Sequence, residues 1–170
     1  AVDSLPGKRI DGVWFRHQAS NWRYSSPGAG ARSQGGRWNP AQSFPTLYLA
    51  EDDRVAFAEL QRLAEKNGIS PSDMLPRDLL SYEVELDDVI DLRKQEAQET
   101  VGLKDIGGEL TPLELCQDIG AVANHLGREG VLAPSAAGSG LTLAIFIERL
   151  GPNSRCSLSN TQTWDPLNDT

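Results

Sequence analysis

Two short apolar segments, Val13-Trp14-Phe15 and Leu47-Tyr48-Leu49-Ala50, read as strands, and the text between them has no periodicity. Residues 19–45 are mostly Ser, Gly, Asn, Pro and Arg, with Ser25-Ser26-Pro27-Gly28-Ala29-Gly30 followed by Gly35-Gly36. Long irregular runs inside a compact domain are uncommon and tend to carry function. At 170 residues the chain has the size of one domain and can bury a core without disulfides or metals. Its 39% hydrophobic and 24% charged residues exclude a disordered chain. The longest apolar run, residues 141–147, falls well short of the roughly 18 residues of a membrane span and reads as a buried strand.

Downstream the pattern becomes regular. Asp52 or Asp53 can cap a helix that Asn67-Gly68 ends, and Ser70-Pro71-Ser72-Asp73 caps a short second one. Leu80, Tyr82, Val84 and Leu86 alternate, which predicts a half-buried strand. Residues 87–110 are acidic and irregular. Thr111-Pro112-Leu113-Glu114 has the form of a capping box with proline at the first helical position, opening a helix to about Leu126-Gly127. Residues 130–133 and 141–150 read as strands around a loop at 134–140, and residues 156–170 as a polar tail. Strands outnumber the helices that could serve as parallel crossovers. The pattern predicts one α+β domain over residues 1–155, without repeats or linkers.

Charge is unevenly distributed. Residues 1–50 carry Lys8, Arg9, Arg16, Arg23, Arg32 and Arg37 against only Asp3 and Asp11, a local +4 that leaves −12 on the remaining chain for a net of −8. An acidic body argues against direct nucleic-acid binding, which needs a phosphate-neutralising basic face. The arginines of the first third are either solvated surface charges or a local site for a small anion. Cys116 and Cys156 are too few for a disulfide framework or a four-ligand zinc site, and they suit a reducing cytoplasm. The chain starts at Ala1 and Met74 is its only methionine, which leaves a removed signal peptide open.

One side chain breaks the helical pattern. At 100° per residue, Val55, Ala56, Leu60, Leu63 and Ala64 form an apolar arc, and Glu59 falls inside it. A carboxylate there either sits at the rim, pairs with an arginine, or is put to chemical use. Arg37 follows paired glycines, which let backbone pass close to a ligand or simply make a turn. Its guanidinium can fork onto a phosphate or carboxylate. His17 and His125 lack metal-ligand spacing, and no Gly-x-Ser-x-Gly surrounds Ser135. No dinucleotide fingerprint or Walker loop is present.

The segments Phe15-Arg16-His17, Gly35-Gly36-Arg37-Trp38-Asn39-Pro40, Leu47-Tyr48-Leu49-Ala50-Glu51, Ala56-Phe57-Ala58-Glu59 and Gly130-Val131-Leu132-Ala133-Pro134-Ser135 follow one another across residues 12–150. In order and spacing they resemble the RES-domain family. The resemblance implies an ADP-ribosyltransferase-like fold, a split, twisted β core with flanking helices that grips NAD⁺ in a cleft. It implies cleavage of the nicotinamide–ribose bond by water or inorganic phosphate, with NAD⁺ as substrate and no metal. Arg16 and Arg37 would hold the NAD⁺ phosphates, Tyr48 would pack on nicotinamide or its ribose, Glu59 would face that ribose, and Ser135 would line the pocket. Arg37, Tyr48 and Glu59 form the implied catalytic set. The implied setting is a bacterial cytoplasm, as the toxin of a toxin–antitoxin pair. Its implied partner is an Xre-type helix-turn-helix antitoxin, with neither membrane nor nucleic acid contacted and a homodimer left open.

Two departures from that pattern stand out. Gly140-Leu141-Thr142 replaces a stretch where the family often carries asparagine, and a further pocket tyrosine has no clear counterpart other than Tyr82. Mono-ADP-ribosyl transfer to a protein and a non-catalytic interaction module on the same fold are the alternative readings.

Overall fold

A computed structural model describes residues 1–22, 27–104 and 111–168. Its order is β1 (Gly7–Ala19), α1 (Ala29–Gln34), β2 (Thr46–Ala50), α2 (Asp53–Lys66), β3 (Arg77–Asp91), α3 (Gln95–Thr100), α4 (Leu113–His125), β4 (Gly130–Pro134), β5 (Leu141–Phe146) and β6 (Arg155–Trp164). Arg23, Ser25 and Ser26 of the irregular run, and residues 105–110 of the acidic one, lie outside the described residues.

The β core is split into two halves. In one, β1 and β3 pair antiparallel from Gly7↔Ile90 to Ala19↔Arg77. The opposite edge of β3 takes β6 antiparallel along residues 77–85 and β4 in parallel at residues 89–91. In the other half, β5 lies between β2 and β4, antiparallel to both. The halves meet where β3 joins β4 and at the single pair Phe15↔Ala50 between β1 and β2. The α+β architecture expected from the pattern is the one found.

Period-two alternation sorts the core. From β5, Leu143 and Ile145 point inward with Trp14, Leu47, Leu49, Leu80, Tyr82, Val84 and Leu86. Ala144 and Phe146 point to the other side, where Trp38, Ile119, Ala123 and Val131 pack. A third cluster joins α2 to the sheet through Val55, Ala56, Leu60, Leu79 and Trp164. Asp52 caps α2 by accepting from the Val55 amide at 2.9 Å, as the sequence predicts. Leu63, expected on the buried arc, is 40% exposed instead and stands at the cleft edge. No helix among the described residues is long and apolar enough to cross a membrane.

Several expectations need correction. β1 and β3 extend well beyond their apolar centres because their outer residues are polar and exposed, which mutes the hydrophobic signal. The 19–45 run contains α1, a six-residue helix that starts after Gly28 in the left-handed region. α4 starts at Leu113 with Pro112 as its N-cap and no side-chain cap, so the expected capping box does not form. The polar tail is largely β6, hydrogen-bonded along β3. Its residues are exposed along almost the whole strand, and only Trp164 is buried. Backbone pairing, rather than apolar burial, holds that segment in place.

Trp164 stacks on His17 of β1 with ring centroids 5.7 Å apart, and thereby fixes β6 to the first half of the core. Trp164→Ala is expected to lose about 3–5 kcal/mol of stability, the usual range for emptying a buried tryptophan site, measured by urea unfolding.

Candidate active site

The centre of the site is a tyrosine that holds a loop. Tyr48 of β2 donates its hydroxyl to Asn39 Oδ1 at 2.6 Å and accepts from the Trp38 amide at 2.9 Å. Asn39, fully buried, in turn donates to the carbonyls of Ala31 and Pro40. Burial raises the Tyr48 hydroxyl pKa well above the ordinary value of 10.0. With both polar positions in use, Tyr48 offers a ligand its ring and no mobile proton.

The paired glycines follow from that packing. A Cβ on Gly36 would lie 2.5 Å from the Tyr48 hydroxyl and 2.6 Å from its ring, so only glycine lets the loop lie on the tyrosine. Gly120 of α4 plays the same part from below, since a Cβ there would meet the Trp38 carbonyl at 1.8 Å. Gln117 of the same helix donates to the Gly36 carbonyl at 3.0 Å. The loop is thus gripped on both sides.

Arg37 projects from this fixed loop. Its guanidinium donates to the Pro134 carbonyl at 3.0 Å and lies 5.4 Å from the Trp38 ring centroid. Next to Pro134, the buried Ser135 accepts from the Ala137 amide at 3.1 Å, so its hydroxyl shapes the 134–140 turn. Arg16, at the far end of β1, reaches toward the Tyr48 carbonyl over 3.5 Å. Glu59 comes from α2 and accepts from Thr142 Oγ1 at 3.1 Å. Burial pushes the Glu59 pKa above its ordinary 4.5, against the hydrogen bond from Thr142 and the positive charges of Arg16 and Arg62.

These side chains share one cleft of about 490 Å³. Arg16, Arg37, Tyr48, Glu59 and Ser135, all expected at a site, line it together, although they come from five separate parts of the chain. Tyr82 does not; it belongs to the inner core between the halves. An adjoining cleft of about 440 Å³ shares Gly35, Gly36, Arg37, Arg62 and Lys66 with the first. Among the described residues, four cationic side chains, Arg16, Arg37, Arg62 and Lys66, face the first cleft against the single carboxylate of Glu59. His17 also lines it. Burial drives its pKa down to about 3, aided by the charges of Arg77 and Arg16, so it is neutral and accepts from Arg77 Nε at 2.9 Å.

Sequence reasoning missed Thr142, Arg62 and Lys66. The two cations were legible in principle, standing three and seven residues after Glu59 on the same helical face. Thr142 had no local signal, because its contact with Glu59 joins residues 83 positions apart. It stands in the stretch where this chain departs from the family pattern. Among the described residues, no group of three or more His, Cys, Asp or Glu side chains could hold a metal ion.

Thr142→Val tests the local electrostatics. It preserves shape but removes the hydrogen bond that favours the charged carboxylate, so the Glu59 midpoint should rise further above 4.5. Carboxyl ¹³C NMR titration of the wild type and variant reads the shift directly.

Comparison with known proteins identifies the family. The family model for the RES domain matches residues 8–165. The chain is 36% identical over 129 residues to proteins named NAD(+) phosphorylase MbcT in Mycobacterium tuberculosis and Mycobacterium bovis, spanning 74% of this chain and 68% of those proteins. The crystal structure of the M. tuberculosis MbcT–MbcA toxin–antitoxin complex contains a chain that superposes with a TM-score of 0.81 at 30% identity. That match covers 97% of this chain and 90% of the other. With a family model covering most of its length, and its Arg16, Arg37, Tyr48, Glu59 and Ser135 gathered in one cleft, this chain belongs to the RES-domain family.

Proposed function

We propose that this chain destroys NAD⁺ by breaking the nicotinamide–ribose bond and passing the ADP-ribosyl group to inorganic phosphate or water. The observation that carries this reading is the part-buried carboxylate of Glu59, the one carboxylate among the described residues that line the cleft, set among Arg16, Arg37, Arg62 and Lys66 beside a tyrosine ring whose hydroxyl is held by the loop. The relatives named NAD(+) phosphorylase support phosphate as the acceptor.

Arg37 and Arg16 hold the diphosphate of NAD⁺, and the planar fork of Arg37 comes from a loop hydrogen-bonded to Tyr48 and Gln117. The Tyr48 ring supports the nicotinamide–ribose end, its hydroxyl taking no part in proton transfer. Glu59 faces the ribose. As the C–N bond breaks, positive charge builds on the ribose, and a fixed carboxylate stabilises it, as in glycoside cleavage. The bonding pair returns to the pyridinium nitrogen, which leaves as neutral nicotinamide, so neither a general acid nor a metal is required. Ser135 shapes the cleft wall by holding the 134–140 turn.

By likeness to the toxin–antitoxin complex, the chain acts as a toxin and an antitoxin, expected to be of the Xre helix-turn-helix kind, restrains it. The bacterial cytoplasm, which holds the NAD⁺ pool and keeps unpaired cysteines such as Cys116 and Cys156 reduced, is the fitting compartment.

Purified protein, free of any antitoxin, should deplete NAD⁺ in the presence of a chelator, with nicotinamide appearing in equal amount by HPLC. Glu59→Gln should bind NAD⁺ yet turn it over about 10²–10³-fold more slowly, with little change in melting temperature. Loss of fold with full activity in the residual folded fraction would return Glu59 to the scaffold. Arg37→Lys, which keeps the charge but not the fork, should lower kcat/KM at least about tenfold with unchanged circular dichroism.

A further inference from the structure

Arg16 and Arg37 are assigned above to the two negative charges of the diphosphate, which leaves Arg62 and Lys66 without a role. Both lie on the face of α2 that carries Glu59, one and two turns further on. Both line the main cleft and the adjoining one. Arg62 is half-buried and Lys66 exposed, so the pair makes a graded cationic path from solvent toward Glu59. Arg62 is close enough for its charge to act on the Glu59 carboxylate, while the carboxylate takes its hydrogen bond from Thr142 on β5. The guanidinium is therefore not committed to a bidentate pair with Glu59.

The chemistry demands a cation at this place. A phosphate anion that attacks the ribose must come close to the Glu59 carboxylate, and two like charges in a partly dry cleft repel strongly. The last turns of α2 make matters worse, since the C-terminal end of a helix carries partial negative charge. Arg62 and Lys66 reverse the sign of the field there. A guanidinium can also present two parallel N–H donors to a tetrahedral oxyanion.

We infer that Arg62, with Lys66 at the mouth, is the binding site for the attacking inorganic phosphate, beside Glu59 and separate from the groups that hold NAD⁺. The inference rests on the phosphorolytic reading above. In the step it serves, a phosphate oxygen donates a lone pair to the anomeric carbon of the ribose as the C–N bond breaks. The electrons of that bond neutralise the pyridinium, giving ADP-ribose phosphate and nicotinamide with no change of oxidation state. With Arg62 and Lys66 beside the acceptor, phosphate is favoured over neutral water by charge, and the ratio of the two products depends on these residues.

The test is a phosphate titration at fixed, saturating NAD⁺, and an NAD⁺ titration at fixed phosphate, on wild type, Arg62→Ala, Arg62→Lys and Lys66→Ala. Products are counted as ADP-ribose phosphate and ADP-ribose by ³¹P NMR. Arg62→Ala should raise the half-saturating phosphate concentration about ten- to a hundredfold, the size expected for losing charged hydrogen bonds. Its KM for NAD⁺ should move by less than about threefold, and the product ratio should shift toward ADP-ribose. Arg62→Lys should fall between, and Lys66→Ala should have the smaller effect. Sulfate, a tetrahedral dianion of similar size, should compete with phosphate in the wild type and lose that potency in Arg62→Ala. A parallel rise in the KM for NAD⁺ with phosphate saturation unmoved would overturn the inference and place Arg62 on the diphosphate. No change in either constant would overturn it in favour of solvated surface charge. Wild-type NAD⁺ consumption that ignores phosphate altogether would refute the phosphorolytic reading itself, a result visible before any variant is made.

Discussion

The Tyr48 hydroxyl, shared between the Trp38 amide and the Asn39 carboxamide, is the contact on which the site depends. It turns an irregular, glycine-rich run into a rigid wall. Asn39 extends the hold to α1 through the Ala31 carbonyl, and Gly36 and Gly120 bring β2 and α4 into contact with the loop. Arg37 then inherits its position from neighbours held by hydrogen bonds and close packing. The arrangement is economical in one physical sense: every buried polar atom of the tyrosine and the asparagine has a partner, so rigidity is gained without an unsatisfied group.

Electrostatics divides the molecule into two regions. The body is acidic, whereas the described residues of the cleft present four cations to one carboxylate. A basic cleft in an acidic shell concentrates small anions while repelling nucleic acid and other large polyanions, which meet the outer field first. Within the cleft the carboxylate is held by burial at a basicity above that of an ordinary glutamate, moderated by Thr142 and the nearby arginines. The same positive charges that attract a dinucleotide thus also oppose the upward push of burial on Glu59.

Much of this was legible in the sequence, for reasons that can be named. α2 has a cap, a terminator and a regular arc, and Glu59 stood out because it broke that arc. The resemblance carried by the ordered motif segments implied a shared pocket for Arg16, Arg37, Tyr48 and Ser135, and these side chains line one cleft. The polar strand β6 was unreadable because its stability lies in backbone pairing with β3, which leaves no pattern in the side chains. Tyr48 was read as a surface for a ligand, but its hydroxyl chiefly serves the loop; that distinction needs the position of Asn39. Thr142 and the contact it makes belong to tertiary structure alone.

The topology also decides how the site comes into being. Arg16 on β1 is held by pairing with β3, some 60–70 residues later in the chain, and His17 beside it leans on Trp164 of β6. Tyr48 on β2 depends on β5, and Glu59 on Thr142 of that same strand. Most of the cleft's side chains thus lie within residues 16–66, but the strands that hold them in place come from later in the chain. Assembly of the catalytic groups and closure of the β core are therefore coupled, and activity on heating or in denaturant is expected to fall together with global unfolding.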